Sequence, residues 1–298
     1  MPSILSVLAR EQIRLLKPIL TWMDIPKARA FQDALGELGA KSVADRVVYE
    51  HVSMDNFEAC FALPQDEKDS RRAILYLHGG AFVAGNLKYA RGFAGILADR
   101  MDQRVLSVAY RLAPEHPFPA ALEDALAAYR YLLDHGWEAG RITFVGESAG
   151  GGLVFSLCLR LKQLGLPLPA ALVGISPWTD LTFSGPSYQT NEKRDPSLSE
   201  DSLRCYAAAY ADGKERDPLV SPGFGDLAGL PPSLLLAGGD ELLLSDAQML
   251  AQRLQDSGCR CELCVEDGLW HVYALFNIPE AYAALEKIAC LLEFGNDD

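Results

Sequence analysis

This 298-residue sequence has no long apolar run, and it has fewer positively than negatively charged residues. No stretch approaches the roughly 18 uninterrupted apolar residues of a membrane-spanning helix, which argues against a transmembrane segment. The opening stretch MPSILSVLAREQIRLLKPIL contains charged residues that break every apolar run long enough for the core of a signal peptide. Asp and Glu (40) outnumber Lys and Arg (27), and the net charge of −13 disfavours nucleic acid or an anionic membrane surface as a partner.

Cysteine is limited to seven residues, an odd count. An odd count without a leader peptide predicts free thiols in a reducing cytoplasm. Three cysteines form the tight group CRCELC at 259–264, which could suggest a metal site. A closed zinc site needs about four ligands, however, and no second Cys/His pair is spaced to complete this one. We therefore interpret the group as part of a strand, CRCELCVE.

The remaining composition, 49% hydrophobic and 22% charged, is typical of a globular protein with a sizeable core. Segments 3–20 and 26–38 have helical periodicity, and two strand-like runs with a hairpin-like connection follow them. From residue 72 onward, strand-like runs alternate with helical segments, and the alternation pauses between about 179 and 229. This pattern predicts βαβ units and a parallel sheet covered by helices on both faces. We expect one α/β domain over residues 1–298.

The stretch VGESAGGGL at 145–153 places a serine in the middle of a core-like segment, with a glycine two residues to either side. RITFVG is predicted to be a buried strand and GGLVFSLCLRLKQL a helix. The glycines alone could serve an ordinary strand-to-helix turn. In this context, however, G-x-S-x-G is typical of a nucleophile elbow, a strained turn that exposes the hydroxyl of Ser148. A base, an acid and an oxyanion hole elsewhere in the chain would support the elbow.

Candidate acid and base residues are selected by their position, because reactive groups of an open parallel sheet collect at the carboxyl ends of its strands. His271 lies just after the last predicted strand, where a general base would be needed. The stretch LLLAGGDELLLSDA offers Asp240, Glu241 and Asp246 as acids. Asp246 is better explained as a first-turn acid of a helix, since it follows a serine with capping-box spacing. Asp240 directly follows the strand, and we favour it. The order Ser148, Asp240, His271 is that of α/β-hydrolase triads.

An oxyanion hole requires backbone N–H groups that a substrate carbonyl can approach. In LYLHGGAF, a predicted strand ends at His78, Gly79 and Gly80, where glycine leaves the backbone unobstructed. The residue after the nucleophile, Ala149, would supply a further donor. We interpret His78 as a scaffold for this loop rather than a catalyst.

Five motifs occur in order and at family-like spacings: HGGAF, YRLAPEHPFPAALED, GESAGGG, GGDELLLSDA and LWHVY. With them, the sequence from about residue 46 to its end resembles the hormone-sensitive-lipase-like carboxylesterases, the bacterial type IV esterases of the α/β-hydrolase fold. The resemblance implies a mostly parallel central sheet with helices on both faces and a helical cap, formed here by about 1–40 and 179–215. Two positions differ from the family motifs. Ala81 replaces the third glycine of H-G-G-G, and Glu147 replaces the aspartate before the nucleophile.

The resemblance implies the following roles: Ser148 as nucleophile, Asp240 as acid, His271 as base, and the N–H groups of Gly79, Gly80 and Ala149 as oxyanion donors. It implies a serine carboxylesterase that hydrolyses short- to medium-chain acyl esters through an acyl-enzyme, with no metal or cofactor. Lactone hydrolysis and amide or formamide hydrolysis share the tetrahedral intermediate and stay open as alternatives. A non-catalytic binding protein of the same fold is a further alternative, against which the presence of a histidine argues.

Three apolar or aromatic residues, Phe82, Trp178 and Tyr188, are candidates for the substrate pocket, although each could equally belong to the core. The expected partner is a small-molecule ester. We expect no nucleic acid and no membrane insertion, and a homodimer stays open. The expected location is the cytoplasm.

Overall fold

The computed structural model describes residues 1–21, 23–65 and 71–294. In this part of the chain, eight strands form one sheet in the order β1-β2-β4-β3-β5-β6-β7-β8. The strands are β1 (Val47–Ser53), β2 (Glu58–Pro64), β3 (Ala73–Leu77), β4 (Arg104–Ala109), β5 (Ile142–Glu147), β6 (Ala171–Ile175), β7 (Ser233–Gly238) and β8 (Cys261–Glu266). The first two strands pair antiparallel with their neighbours, and all later neighbours pair in parallel. This is the predicted mostly parallel sheet, and the CRCELC group lies at its edge strand, β8.

The sequence of each strand follows its place in the sheet. Every residue of β3, β5, β6 and β7 is buried, as expected of parallel strands covered on both faces. β1, at the opposite edge, is mostly exposed and begins the predicted hairpin. The strand prediction is therefore confirmed, and the exposed edge hairpin extends a core of central parallel strands.

Helices cover both faces of the sheet. They are α3 (Leu87–Met101), α4 (Ala120–Asp134), α5 (Ala149–Leu164), α8 (Leu244–Asp256) and α9 (Pro279–Phe294). Alternate residues of β3 point into two separate cores. Leu75 and Leu77 pack in the core that contains α4, α5 and α8, whereas Ile74 and Tyr76 pack in the core that contains α3 and α9. The prediction of helices on both faces is confirmed.

Four helices lie in the two segments outside the alternating pattern. They are α1 (Ile4–Thr21), α2 (Ile25–Ser42), α6 (Ser187–Thr190) and α7 (Glu200–Ala211). The Asp24 side chain caps α2 by accepting from the Lys27 N–H at 2.9 Å. α2 then packs closely on α3, where a Cβ on Gly36 would lie 2.3 Å from the Lys88 carbonyl oxygen. In the described residues, no helix is both long and apolar enough to cross a membrane.

Candidate active site

Ser148 occupies a strained turn between β5 and α5. Its backbone has φ 55° and ψ −122°, a conformation that costs a non-glycine residue about 1–3 kcal/mol. The neighbouring glycines make this turn possible. A Cβ on Gly146 would lie 2.3 Å from the Gly150 carbonyl oxygen, and one on Gly150 would lie 2.0 Å from the Leu77 carbonyl oxygen. The geometry is that of a nucleophile elbow, in which the serine directly precedes a helix at the carboxyl end of the sheet.

The structure brings His271 and Ser148 together. The distance between His271 Nε2 and Ser148 Oγ is 3.0 Å, within hydrogen-bond reach of a general base. Both side chains are buried, and burial lowers the pKa of His271 to about 4. A neutral imidazole at neutral pH is the form that can take the serine proton. This arrangement supports the two roles expected for these residues.

The carboxylate facing the other imidazole nitrogen belongs to Glu241. Its Oε2 lies 3.8 Å from His271 Nδ1, and Nδ1 has no hydrogen-bond partner among the described residues. Glu241 is fully buried, and its Oε2 accepts from the Ser176 hydroxyl at 2.6 Å and from the Gly238 N–H at 3.2 Å. Burial raises the pKa of Glu241, and an imidazolium at His271 would favour the ionised carboxylate again. A buried carboxylate is stabilised by an imidazolium beside it, so this pair is suited to sharing the charge that forms during catalysis.

Asp240, the acid that we favoured from the sequence, has different partners, and that expectation is corrected. Its Oδ2 lies 2.5 Å from the Arg10 guanidinium, and its Oδ1 is paired with Arg194. The Asp240 N–H donates to the Leu269 carbonyl, and the chain then turns so that the next side chain faces the histidine. Position directly after a strand end therefore selected the loop that faces the histidine, but the residue next to the one whose side chain faces it.

Asp246 is buried and binds backbone rather than the histidine. It accepts from the N–H groups of Thr179 (2.9 Å) and Asp180 (2.8 Å) and from the Tyr188 hydroxyl (2.9 Å). Asp246 lies in the first turn of α8, as expected, but the capping box is wrong, because α8 begins at Leu244 and its cap residue makes no side-chain hydrogen bond. Asp246 instead fixes the chain after β6.

The expected oxyanion loop follows β3, but the N–H groups in it that have no protein acceptor lie one residue further along than expected. The Gly79 N–H donates to Glu147 Oε1 at 2.5 Å, so Gly79 is not free to bind a substrate oxygen. Within the described ranges, the N–H groups of Gly80, Ala81 and Ala149 donate to no protein acceptor. Ala81 has φ 53°, a left-handed conformation that explains why glycine suits this position in the family motif. Gly80 and Ala149 keep the expected role as candidates, and Ala81 replaces Gly79.

Glu147, which differs from the family motif, holds the oxyanion loop from beneath. Its carboxyl group is fully buried and accepts from the Tyr76 hydroxyl (2.7 Å), the Tyr89 hydroxyl (3.0 Å) and the Gly79 N–H. Burial raises the pKa of Glu147 to about 7. The residue therefore fixes the position of the loop relative to the nucleophile that follows it.

His78 supports the same loop from the other side. Its ring stacks on Tyr110 at a centroid distance of 4.2 Å, and its Nδ1 lies 2.6 Å from the Gly79 carbonyl oxygen. Burial lowers the pKa of His78 to about 4, which keeps the ring neutral. These contacts agree with a scaffold role.

A cavity of about 450 Å³ opens onto Ser148 and His271. Its wall combines the loop after β3 with apolar side chains from both segments outside the sheet core: Ile13, Leu16, Phe31, Leu35, Leu203 and Tyr206. None of the three aromatic pocket candidates is among the described residues that line this cavity. Phe82 stacks on Tyr210, and the buried Trp178 ring also lies beside Phe82. The Tyr188 hydroxyl donates to Asp246. They are core residues, and the expectation that they contact substrate is corrected.

Sequence reasoning missed Ser176, which connects the acid to the base loop. Its hydroxyl donates to Glu241 and accepts from the Val272 N–H at 2.9 Å, next to His271. Ser176 directly follows β6 and has φ 48°. The strand-end criterion used for acids and bases would have found it if applied to serines.

Comparison with known proteins defines the class. A family model described as the α/β hydrolase fold matches residues 74–275. An acetyl-hydrolase of Streptomyces hygroscopicus is 38% identical over 264 residues, which cover 88% of this chain and 86% of the relative. An esterase of Acinetobacter venetianus is 37% identical, with 75% of each chain covered. The crystal structure of an esterase from the bacterial hormone-sensitive lipase family superposes with a TM-score of 0.91 and 36% identity, and covers 98% of both chains.

The protein is thus a carboxylic ester hydrolase of the α/β-hydrolase fold. Within that fold, the chain belongs to the hormone-sensitive-lipase family of bacterial esterases, as its motifs indicated.

Proposed function

We propose that the protein is a serine carboxylesterase for short- to medium-chain acyl esters, with Ser148, His271 and Glu241 as its triad. The observation that carries this proposal is the 3.0 Å contact between His271 Nε2 and the hydroxyl of a serine in a strained turn. An apolar cavity at the same place provides room for an acyl chain.

The acylation step follows from the roles of these groups. His271 Nε2 takes the Ser148 proton as Oγ attacks the ester carbonyl carbon. Glu241 stabilises the imidazolium through Nδ1. The oxygen of the tetrahedral intermediate accepts from the N–H groups of Gly80, Ala81 and Ala149. His271 then returns the proton to the departing alcohol oxygen, and the acyl group stays on Ser148.

Deacylation repeats the sequence with water in place of serine. His271 takes a proton from water as it attacks the acyl-enzyme carbonyl, and the carboxylic acid leaves as Ser148 regains its proton. In both steps the proton carrier, the nucleophile's activation and the oxyanion donors come from side chains and backbone of this chain.

We also propose that segments 1–40 and 179–215 form a cap over the site. Both segments supply apolar wall to the cavity, α1 and α2 from the first and α7 from the second. The cavity is therefore finite, and each added methylene stabilises binding by about 0.8 kcal/mol only while room remains. The name of one relative, acetyl-hydrolase, supports a preference for short acyl groups.

The experiment is a hydrolysis screen with p-nitrophenyl esters from C2 to C16, together with a lactone series and an anilide series. We expect kcat/KM to peak between C2 and C8 and then to fall, with esters faster than anilides. A steady rise through C16, or activation by emulsified oil, would contradict the closed cavity. A lactone or anilide that exceeds the best ester would favour the alternative hydrolase instead.

The expected cytoplasmic location rests on the thiols. All seven cysteines are free, which supports a reducing compartment. Fractionation of the native host, followed by detection of the protein, tests this location.

A further inference from the structure

Arg10 extends from α1 to the two loops that carry the acid and the base. Its Nη1 lies 2.5 Å from Asp240 Oδ2 and donates to the Gly268 carbonyl at 2.8 Å. Asp240 immediately precedes Glu241, and Gly268 lies three residues before His271. One planar guanidinium therefore contacts both loops, a geometry for which an ammonium group is a poor substitute.

A second element holds the acid loop from the opposite segment of the cap. Arg194 pairs with the other oxygen of Asp240, and its own carbonyl accepts from Arg10 Nη2 at 2.9 Å. The Asn191 side chain donates to the Glu241 carbonyl at 2.9 Å, and Asp195 accepts from the Leu242 N–H at 2.9 Å. Both cap segments thus meet at the buried carboxylate of Asp240.

Among the residues that the structure describes, both ion pairs of this carboxylate come from cap residues. The Asp240 side chain is 5% exposed, and the two guanidinium groups come from α1 and from the second cap segment. The other charged groups around His271 are Glu241, which faces its Nδ1, and Asp195, which also favours the imidazolium. Removing Arg10 would leave Asp240 with Arg194 alone, whose side chain is 58% exposed and whose charge is therefore well screened.

We propose that Arg10 is a positioning residue for the triad, and that through Asp240 and Gly268 it fixes the loops of Glu241 and His271 to the cap segments. This inference rests on the proposed function. Arg10 contacts neither substrate nor reacting atoms in this account. It acts on the step in which Glu241 stabilises the imidazolium, so its loss affects kcat more than KM.

The principal test is Arg10→Met, measured on p-nitrophenyl acetate. We expect kcat to fall roughly tenfold to hundredfold, because misplaced catalytic groups lose about this much. KM should change by less than about threefold, since the cavity wall is intact. The unbalanced Asp240 charge should favour the imidazolium, so the acid limb of kcat/KM should move upward by about 0.5 to 1 pH unit. A purely structural role would lower activity without moving this limb.

Three variants complete the experiment. Arg10→Met/Asp240→Asn should return the acid limb toward its wild-type position, because the unbalanced charge is gone. Arg10→Lys should keep the limb in place and still lose kcat, because one ammonium cannot reproduce both contacts. Arg14→Met is the matched control on the same helix: its ion pair with Glu11 is 60% exposed on both sides, and we expect wild-type kinetics.

The outcomes separate this inference from the proposed function. Wild-type kcat and an unmoved acid limb in Arg10→Met would overturn the positioning role, and so would full activity in Arg10→Lys. If Arg10→Met does not fold, as seen in its thermal unfolding, the Arg10→Lys variant decides. If Ser148→Ala is inactive and Arg10→Met has normal kinetics, the Arg10 inference fails and the esterase proposal stands. An active Ser148→Ala would refute the esterase proposal itself.

Discussion

Glu241, and not its neighbour Asp240, faces the imidazole of His271, with Oε2 3.8 Å from Nδ1. The two carboxylates are adjacent in sequence but have opposite surroundings. One is held by Ser176 beneath the histidine, and the other is neutralised by two arginines. This relationship assigns different consequences to two otherwise similar substitutions.

We expect Glu241→Gln to lower kcat by roughly 10⁴, because the imidazolium would lose its counter-ion and its preferred tautomer. Asp240→Asn should cost only about tenfold, since Asp240 does not face the imidazole and its loss acts through the position of the loop. Steady-state kinetics on a short p-nitrophenyl ester, with thermal unfolding as a check on folding, compares the two. The reverse ranking would show that Asp240 is the acid.

The pH dependence of kcat/KM should reflect the burial of His271. Burial lowers the pKa of this group from the ordinary value of 6.5 to about 4, and the active form is the neutral imidazole. Activity is therefore present above the lowered pKa and is lost as the pH falls through it, so the acid limb should lie below pH 6.5. Rates measured from about pH 4 to 9 at constant ionic strength test this. An acid limb above the ordinary value would contradict the environment described for His271.

Replacement of Glu147 should affect the transition state more than substrate binding. Glu147→Gln replaces one accepting oxygen with an NH2 group where the Tyr76 hydroxyl, the Tyr89 hydroxyl and the Gly79 N–H converge, so the hydrogen bonds that hold the loop must rearrange. The oxyanion loop should shift, and kcat should fall roughly tenfold to hundredfold with little change in KM. Glu138→Gln, at a side chain that is 81% exposed, is the control. If Glu147→Gln and Glu138→Gln have equal kinetics, Glu147 does not support the oxyanion loop.

The sheet and its helices could be predicted because their signals are local. The runs at β3, β5, β6 and β7 are mostly apolar and buried throughout, and α5 starts directly after the serine of the motif. The boundaries also follow from local sequence, although α2 continues to Ser42, four residues beyond the predicted end. Patterns of this kind depend only on which faces are buried.

The finer assignments at the site depend on contacts between distant residues, which the sequence does not display. Choosing between Asp240 and Glu241 required knowing that Arg10 lies 230 positions earlier in the chain and yet beside Asp240. The choice of oxyanion donor depended on Glu147 reaching back to Gly79. The aromatic candidates failed for the same reason, because Phe82 and Trp178 turn away from the cavity into a shared core.

The most direct measurement of the central claim is covalent trapping of the nucleophile. The wild-type protein is incubated with a p-nitrophenyl alkylphosphonate, and intact mass and peptide mapping then locate the adduct, with Ser148→Ala treated in parallel. We predict one adduct per chain on Ser148, none in the variant, and a loss of esterase activity in the variant on the order of 10⁶. An adduct on another residue, or a Ser148→Ala protein that keeps more than about a hundredth of wild-type activity, would contradict the account.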